Sequence, residues 1–331
     1  MVTRTFPLLA LPYLALCIVL DHFRLKEIVH FSLCSKRSQR IASRKPRGKL
    51  EITLHAKKQC EFIVSLNNQP TYKFRICGMS RNFLSSNFWK PTPMAGMMVP
   101  TKRMDLYTAT FWTDALQGID KIGSYLTELF KTPITEIHFL SEKNENDTMG
   151  IIDSVKKKQN SIGKCTFGQM NYTDRYLTHL LNNLEITDDF NLVAVPSRDF
   201  RYPWSLNCVR LTVENGFWLT VDHLLDMTSQ YVRIENTSLS NEDLKRFLKH
   251  WQNGGCSSLK SLLLESYRFD MDDILEGIQI EEIPDTTLRS YLGYNGETIQ
   301  MRGGHDIKRS DGTTRTVFFP EWHLFRFAVQ L

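Results

Sequence analysis

Residues able to do chemistry are plentiful in this chain, and their spacing argues against most of it. The 331 residues include nine histidines and seven cysteines. No His-Glu-x-x-His occurs, and no second histidine stands at metal-ligand spacing, so the histidines read as structural or surface groups. Ser154-x-x-Lys157 has the spacing of a serine nucleophile with its lysine. Its companion motifs are missing, and Lys156-Lys157-Lys158 reads as a solvated run. Asp270-x-Asp272-Asp273 could offer oxygen ligands to a cation, but carboxylates opening a helix over Ile274–Ile278 explain it. Gly303-Gly304-His305 follows no strand–loop–helix phosphate pattern. No Gly-x-Ser-x-Gly, phosphate-loop or dinucleotide fingerprint is present. The expectation is no catalytic, metal or cofactor residue, and no enzyme. An active site assembled only in space would reveal itself as a perturbed His–Asp or Cys–His pair in a pocket.

The cysteines stand at 17, 34, 60, 77, 165, 208 and 256. Their odd number and the lack of a Cys-x-x-Cys pair argue against a disulfide framework and for a reducing compartment, cytoplasm or nucleus. Sequons at Asn146, Asn171 and Asn236 would matter only in a secreted chain. An apolar content of 42% and an aromatic content of 11% suit a folded protein, long enough for two domains. No window of 18 or more apolar residues appears, so no membrane partner is expected. Net charge is only +5, yet Lys36, Arg37, Arg40, Arg44, Lys45, Arg47 and Lys49 come close together with no acid among them. An acidic partner or nucleic acid could use such a patch. A solvated helix end, complementing its macrodipole and followed by a linker, is the simpler reading, and no nucleic-acid partner is expected. Pro46-Arg47-Gly48 then marks a domain boundary.

The elements that matter most lie in the first forty residues. Leu8 to Leu20 is apolar enough to demand burial. Three readings compete. As a secretory signal, residues 1–20 would have Arg4 as the charged region and Ala15-Leu16-Cys17 as a poor cleavage site, giving a secreted or membrane-tethered binding protein. As a membrane span the run is short of the ~20 residues required, and Pro7 and Pro12 interrupt it. The third reading is a small helical domain with an incomplete core. Leu25, Ile28, Val29 and Ser32-Leu33 recur at helical spacing, Pro12 suits a helix start, and Ser35 suits the N-cap of a third helix through Ile41. The helix at 12–20 carries Leu14, Ala15 and Ile18 on one side and Leu16, Val19 and Leu20 on the other. Two short neighbours cover only one of those sides.

The pattern Phe6-Pro7-Leu8-Leu9-x-Leu11-Pro12, then Val19-Leu20-x-x-Phe23, then Lys26-Glu27-Ile28-x-x-Phe31-Ser32-Leu33-Cys34-Ser35-Lys36-Arg37 resembles the F-box. One departure is Arg24-Leu25 at the start of the second helix, where a capping residue is usual; arginine is a poor N-cap.

From Leu50 the period changes from 3.6 to 2. Leu50, Ile52, Leu54 and Ala56 alternate with polar residues, as do Cys60, Phe62, Val64 and Leu66. Asn67-Asn68-Gln69-Pro70 turns the chain, and Tyr72, Phe74 and Ile76 follow on one face. Residues 80–114, with Pro91, Pro93 and Pro100, read as irregular. A helix follows from Leu116 to Phe130, a strand from Ile134 to Leu140, and a polar surface loop at Glu142–Asp147. Beyond these, strands at Cys208–Val213, Tyr231–Glu235 and Leu259–Leu264 alternate with helices at Val221–Met227 and Asn241–Gln252, which suggests leucine-rich-like units. Thr298–Arg302, Thr314–Phe319 and His323–Val329 read as closing strands.

Leu239-Ser240-Asn241-Glu242-Asp243-Leu244-Lys245-Arg246-Phe247-Leu248-Lys249-His250-Trp251, with Gly254 and Leu259-x-x-Leu262, resembles the F-box-associated type 2 domain of a large nematode F-box family. Ile274-Leu275-x-Gly277-Ile278 and Ile307-Lys308-Arg309-x-Asp311-Gly312 fit its closing part. The two resemblances imply an α+β chain. A small three-helix F-box (residues 5–46) would precede a mixed domain (47–331) with an antiparallel β region and leucine-rich-like strand–helix units. They further imply a substrate-recognition adaptor of a Skp–cullin–F-box type ubiquitin ligase, docking on a Skp-family adaptor, and through it a cullin, while the C-terminal domain holds a target protein. The residues expected to dock are Leu8, Leu9, Leu11, Pro12, Leu16, Val19, Phe23, Ile28 and Phe31.

Overall fold

A computed structural model describes residues 7–44, 48–79, 89–94, 96–140, 145–168, 174–203, 207–267 and 269–331, without the side chains of 145 and 146. It divides into two units: Met1–His138 with Lys143–Asn160, and Phe139–Glu142 with Ser161–Leu331.

In the first unit, a 3-10 turn (Leu8–Ala10) leads to α1 (Tyr13–Asp21), α2 (Leu25–Ser32) and α3 (Lys36–Ala42). Pro12 stands one residue earlier than the sequence suggests, as the N-cap of α1, and its carbonyl accepts from Leu16 N at 2.9 Å. Arg24 does precede α2, and the start is rescued by Glu27, whose carboxylate accepts from Arg24 N at 2.7 Å. That is one half of a capping box, supplied from inside the helix. Ser35 caps α3 by accepting from Ser38 N at 3.0 Å.

A meander of β1 (Leu50–Ala56), β2 (Glu61–Leu66) and β3 (Gln69–Gly78) follows, with Leu54 opposite Phe62 and Phe62 opposite Phe74. Asn67 and Asn68 both take positive φ in the β2–β3 turn, the conformation a two-residue hairpin needs. The stretch read as irregular carries three strands instead, β4 (Lys90–Met94), β5 (Met97–Arg103) and β6 (Tyr107–Trp112), with residues 80–88 outside the described ones. Pro91 and Pro93 lie on β4, which ends the row β3-β6-β5-β4, and Pro100 on β5 stands opposite Pro91, one residue before the β5–β6 pairing begins at Thr101.

Helix α4 (Ala115–Phe130) lays Ile119, Ile122, Leu126 and Leu129 inward. Gly118 lets it approach closely, since a Cβ there would lie 2.8 Å from the Trp112 ring. β7 (Glu136–Phe139) and α5 (Glu145–Lys156) follow. The expected polar loop therefore narrows: 141–144 lie outside the described residues, and Glu145 already starts a helix.

In the second unit, β8 (Ser161–Phe167), α6 (Asp174–Asn183), β9 (Glu185–Leu192), β10 (Arg210–Val213), α7 (Val221–Leu225), β11 (Tyr231–Ile234), α8 (Asn241–Gln252) and β12 (Ser261–Glu265) build five adjacent parallel strands. One face is wholly apolar: Phe190, Leu192, Leu211, Val213, Val232, Ile234, Leu262 and Leu264 are all buried. Asn215 Nδ2 donates to Val193 O at 3.1 Å, and Asn236 Nδ2 donates to Glu214 O at 3.0 Å. An asparagine after β10 and another after β11 thus tie each turn to the one before, which is the physical content of the leucine-rich likeness. Asn236, one of the three sequon residues, is committed to this bond.

After α9 (Met271–Leu275) and β13 (Ile280–Glu282), the separate hairpin β14 (Leu288–Leu292) and β15 (Thr298–Arg302) precedes β16 (His305–Lys308), β17 (Thr314–Phe318) and β18 (Leu324–Ala328). β18 adds antiparallel to β12, then β17, β16 and β13 follow. Asp270 caps α9 by accepting from Asp273 N at 3.1 Å, so the acidic triplet is a helix start. The expected boundary between 46 and 47 is not where the units divide. Residues 45–47 lie outside the described ones, and α2 and α3 pack with β3 and α4 inside the first unit.

Candidate docking site

Helix α1 is apolar on both sides and covered on one. Leu16 and Leu20, one turn apart, are buried against the rest of the bundle with Leu25, Ile28, Val29, Phe31 and Leu33. On the other side Tyr13, Leu14 and Ile18 are 51%, 76% and 61% exposed. Leu14 and Ile18 are an i,i+4 pair and form one ridge. Arg37 Nη2 donates to Leu9 O at 3.2 Å, so α3 holds the 3-10 turn beside α1.

Of the residues expected to dock, Pro12 is exposed and Leu8, Leu9, Leu11, Val19 and Phe23 are half-buried, while Leu16, Ile28 and Phe31 are buried in the bundle's own core. Phe31 meets Phe23 edge to face, centroids 6.2 Å apart. A side chain already sealed cannot also fill a partner's pocket, so these three shape the site from behind. The exposed Tyr13, Leu14 and Ile18 are not among the residues expected to dock. Their signal was the i,i+4 spacing opposite Leu16 and Leu20; the sequence showed two apolar faces without saying which faces inward.

The bundle is fixed to α4 and β3 of its unit by polar contacts. Ser32 Oγ donates to Val29 O at 2.7 Å, which leaves the Tyr125 hydroxyl to donate to Ser32 Oγ at 2.5 Å. Burial pushes the Tyr125 phenol above its ordinary value, so it stays a donor. Tyr72 OH lies 2.5 Å from Thr108 Oγ1 and 3.0 Å from His30 Nε2. Burial, then the charges of Arg103 and Lys26, holds the His30 imidazole below its usual value and hence neutral.

Burial lifts the Cys208 and Cys256 thiols to about 11, far from the thiolate form a nucleophile needs. Among the described residues no group of three or more His, Cys, Asp or Glu could hold a metal, and no helix is long and apolar enough to cross a membrane.

A helical module with an unfinished apolar face, in one chain with a strand–helix sheet, is the architecture of an interaction protein. The comparisons agree: residues 8–50 match the F-box domain, and residues 199–264, from just before β10 through β12, match the domain described as F-box associated. The two matched regions stand in that order along the chain. It is 26% identical over 208 residues to the Skn-1 dependent zygotic transcript 15 protein of Caenorhabditis elegans, covering 61% of this chain and 59% of that protein. It is 22% identical over 164 residues to the uncharacterized protein F59B2.9 of the same organism, covering 47% and 38%. The match thus spans well under two thirds of either relative.

Proposed function

We propose that the chain is the substrate-recognition adaptor of a Skp–cullin–F-box type ubiquitin ligase, acting in the cytoplasm or nucleus, with 5–46 as docking domain and 47–331 as substrate-binding domain. The exposed ridge of α1 in a region matching the F-box carries the reading. Pro12 and the half-buried Leu8, Leu9, Leu11, Val19 and Phe23 would frame the contact with a Skp-family protein, and Tyr13, Leu14 and Ile18 would fill it. Such an adaptor performs no chemistry. It raises the local concentration of a target lysine at the ligase's charged enzyme, which the anchored α2 favours by fixing the bundle on its unit. The leader reading of residues 1–20 is disfavoured, because cleavage would strip Leu16 from a core it helps to fill.

The test is calorimetric titration of the full chain with a purified Skp-family adaptor. A stoichiometric complex is expected, and Leu11→Ala with Pro12→Ala should weaken it about tenfold or more. Failure of the wild-type chain to bind any Skp-family adaptor overturns the reading.

A further inference from the structure

We propose that the polar face of the parallel sheet in the second unit binds an acidic, carboxylate-bearing segment of a protein through Arg210, Arg233 and Arg326. The proposal deepens the substrate-capture reading and rests on it for its biological setting. Successive strand residues alternate between faces, and the apolar face takes Leu211, Val232 and Phe327. Arg210, Arg233 and Arg326 therefore point the other way. Arg210 pairs opposite Tyr231, Arg233 opposite Leu263, and Leu263 opposite Arg326. The Cα positions of the three arginines form a row across β10, β11, β12 and β18, with steps of roughly 7 and 10 Å. Arg210 and Lys260 both lie over the Tyr231 ring, at 5.4 and 5.6 Å.

The row is unevenly paired. Asp189 pairs with Arg210 at 3.2 Å and Glu235 pairs with Arg233. Glu297 is the acidic neighbour of Arg326, yet Arg326 makes no ion pair among the described residues. The Nε atoms of Arg210, Arg233 and Arg326 are all buried without an acceptor. Burial disfavours the Arg326 cation, and the charge of Arg233 adds to this. An incoming carboxylate supplies the counter-charge that Arg326 lacks.

The rim is built to meet oxygen. At the tip of the β14–β15 hairpin, Tyr294 OH accepts from Arg233 Nη1 at 3.0 Å and Asn295 O accepts from Arg210 Nη2 at 3.1 Å. The hairpin walls the row on one side. An extended peptide with acids at alternate positions presents a carboxylate about every 7 Å, which matches the shorter step of the row, and guanidinium takes carboxylate as a planar fork. Five or six residues, about 17 to 20 Å, span it.

The test uses the full chain and fluorescein-labelled peptide pools of about eight residues, degenerate except for Glu, Gln or phosphoserine at alternate positions, read by anisotropy. The Glu pool should bind about tenfold or more tightly than the Gln pool and weaken with salt. Arg326→Gln and Arg233→Gln should each lower Glu-pool affinity about fivefold, with unchanged melting curves. Equal binding of the Glu and Gln pools by the wild-type chain overturns the proposal and requires no variant to fold. Binding of the phosphoserine pool alone overturns the carboxylate assignment. Skp-adaptor binding is measured on the same preparation. Adaptor binding without Glu preference defeats only the arginine site. Glu preference without adaptor binding defeats the ligase reading and leaves the site standing.

Discussion

Helices α1 and α8 are both short and both rich in large apolar residues, and they end in opposite situations. In α8, Leu244, Phe247, Leu248 and Trp251 form one stripe, every member is buried, and the other side is charged. The chain itself completes that core: Trp251 packs on Phe327 with centroids 5.1 Å apart, Arg309 stacks over its ring at 4.6 Å, and Arg309 donates to Trp251 O and Gly255 O at 3.0 and 2.6 Å, closing the helix end. In α1 the apolar residues run all round, and the chain covers one side only. A helix with one apolar face folds for its own unit, whereas a helix with two folds for its unit and for something else. Burying Leu14 and Ile18 in a partner is worth about 1.5–3 kcal/mol each, available only on binding.

The comparison breaks first at α8. Trp251→Ala should cost about 3–5 kcal/mol of stability through lost burial and cavity and lower the melting transition of the second unit. Adaptor affinity should be untouched. Calorimetric melting with the adaptor titration reads both, and a Trp251 variant that melts normally would mean the stripe is not the core it looks like.

The reciprocal change is smaller in stability and large in binding. Leu14→Ala with Ile18→Ala should lose about 3 kcal/mol of adaptor affinity, more than a hundredfold, and leave the melting temperature within a degree or two, because both side chains already face water. Leu16→Ala on the same helix should do the reverse, costing about 2–5 kcal/mol of folding stability. Equal effects of the two changes on melting would erase the distinction between inner and outer faces.

Much of this was legible in the residues. Ser240, Ser35 and Asp270 announce their helices because a short polar side chain is what an orphan N–H needs. The parallel strands show as short apolar runs at repeating distance. Residues 90–112 were misread because proline argues against a strand interior, and edge position is a property of the finished sheet. β8, β9, α5 and α6 were missed for a related reason. Their apolar spacing is weak until neighbours bury them, as with Phe190 in the otherwise polar run Thr187-Asp188-Asp189-Phe190-Asn191. At the docking site the apolar helix was legible and its orientation was not. At the arginine row nothing was legible, since Arg210, Arg233 and Arg326 meet only through strand register.

A buried charge sharpens the comparison between closed and open surfaces. Glu61, 4% exposed, is held by Lys57 and Arg75, each at 2.7 Å. Burial alone would raise its carboxyl, but the hydrogen bonds and charges of the two cations hold it below the usual range. A depressed carboxyl stabilises the fold above its unfolded value of about 4.3 and loses that contribution as pH falls through the lower folded value. Glu61→Gln should cost about 1–3 kcal/mol at pH 7 and flatten the acid limb of a stability–pH curve. An unchanged acid limb would show that the pair contributes nothing.

The smallest effect tests the anchor behind the docking face. Tyr125→Phe removes the donor to Ser32 Oγ but keeps the ring packed, so it should cost about 1 kcal/mol. The loss falls on α2, because Ser32 and Val29 are the groups the hydroxyl reaches. Hydrogen exchange of the α2 amides should quicken about fivefold, the same energy read as an opening equilibrium, while adaptor affinity holds because the α1 ridge is unaltered. If ubiquitin transfer to a bound target falls while both binding affinities stay put, the anchor serves to position one face relative to its unit. If α2 exchange is unmoved, the bundle is held by its apolar contacts alone and the tyrosine only fills space.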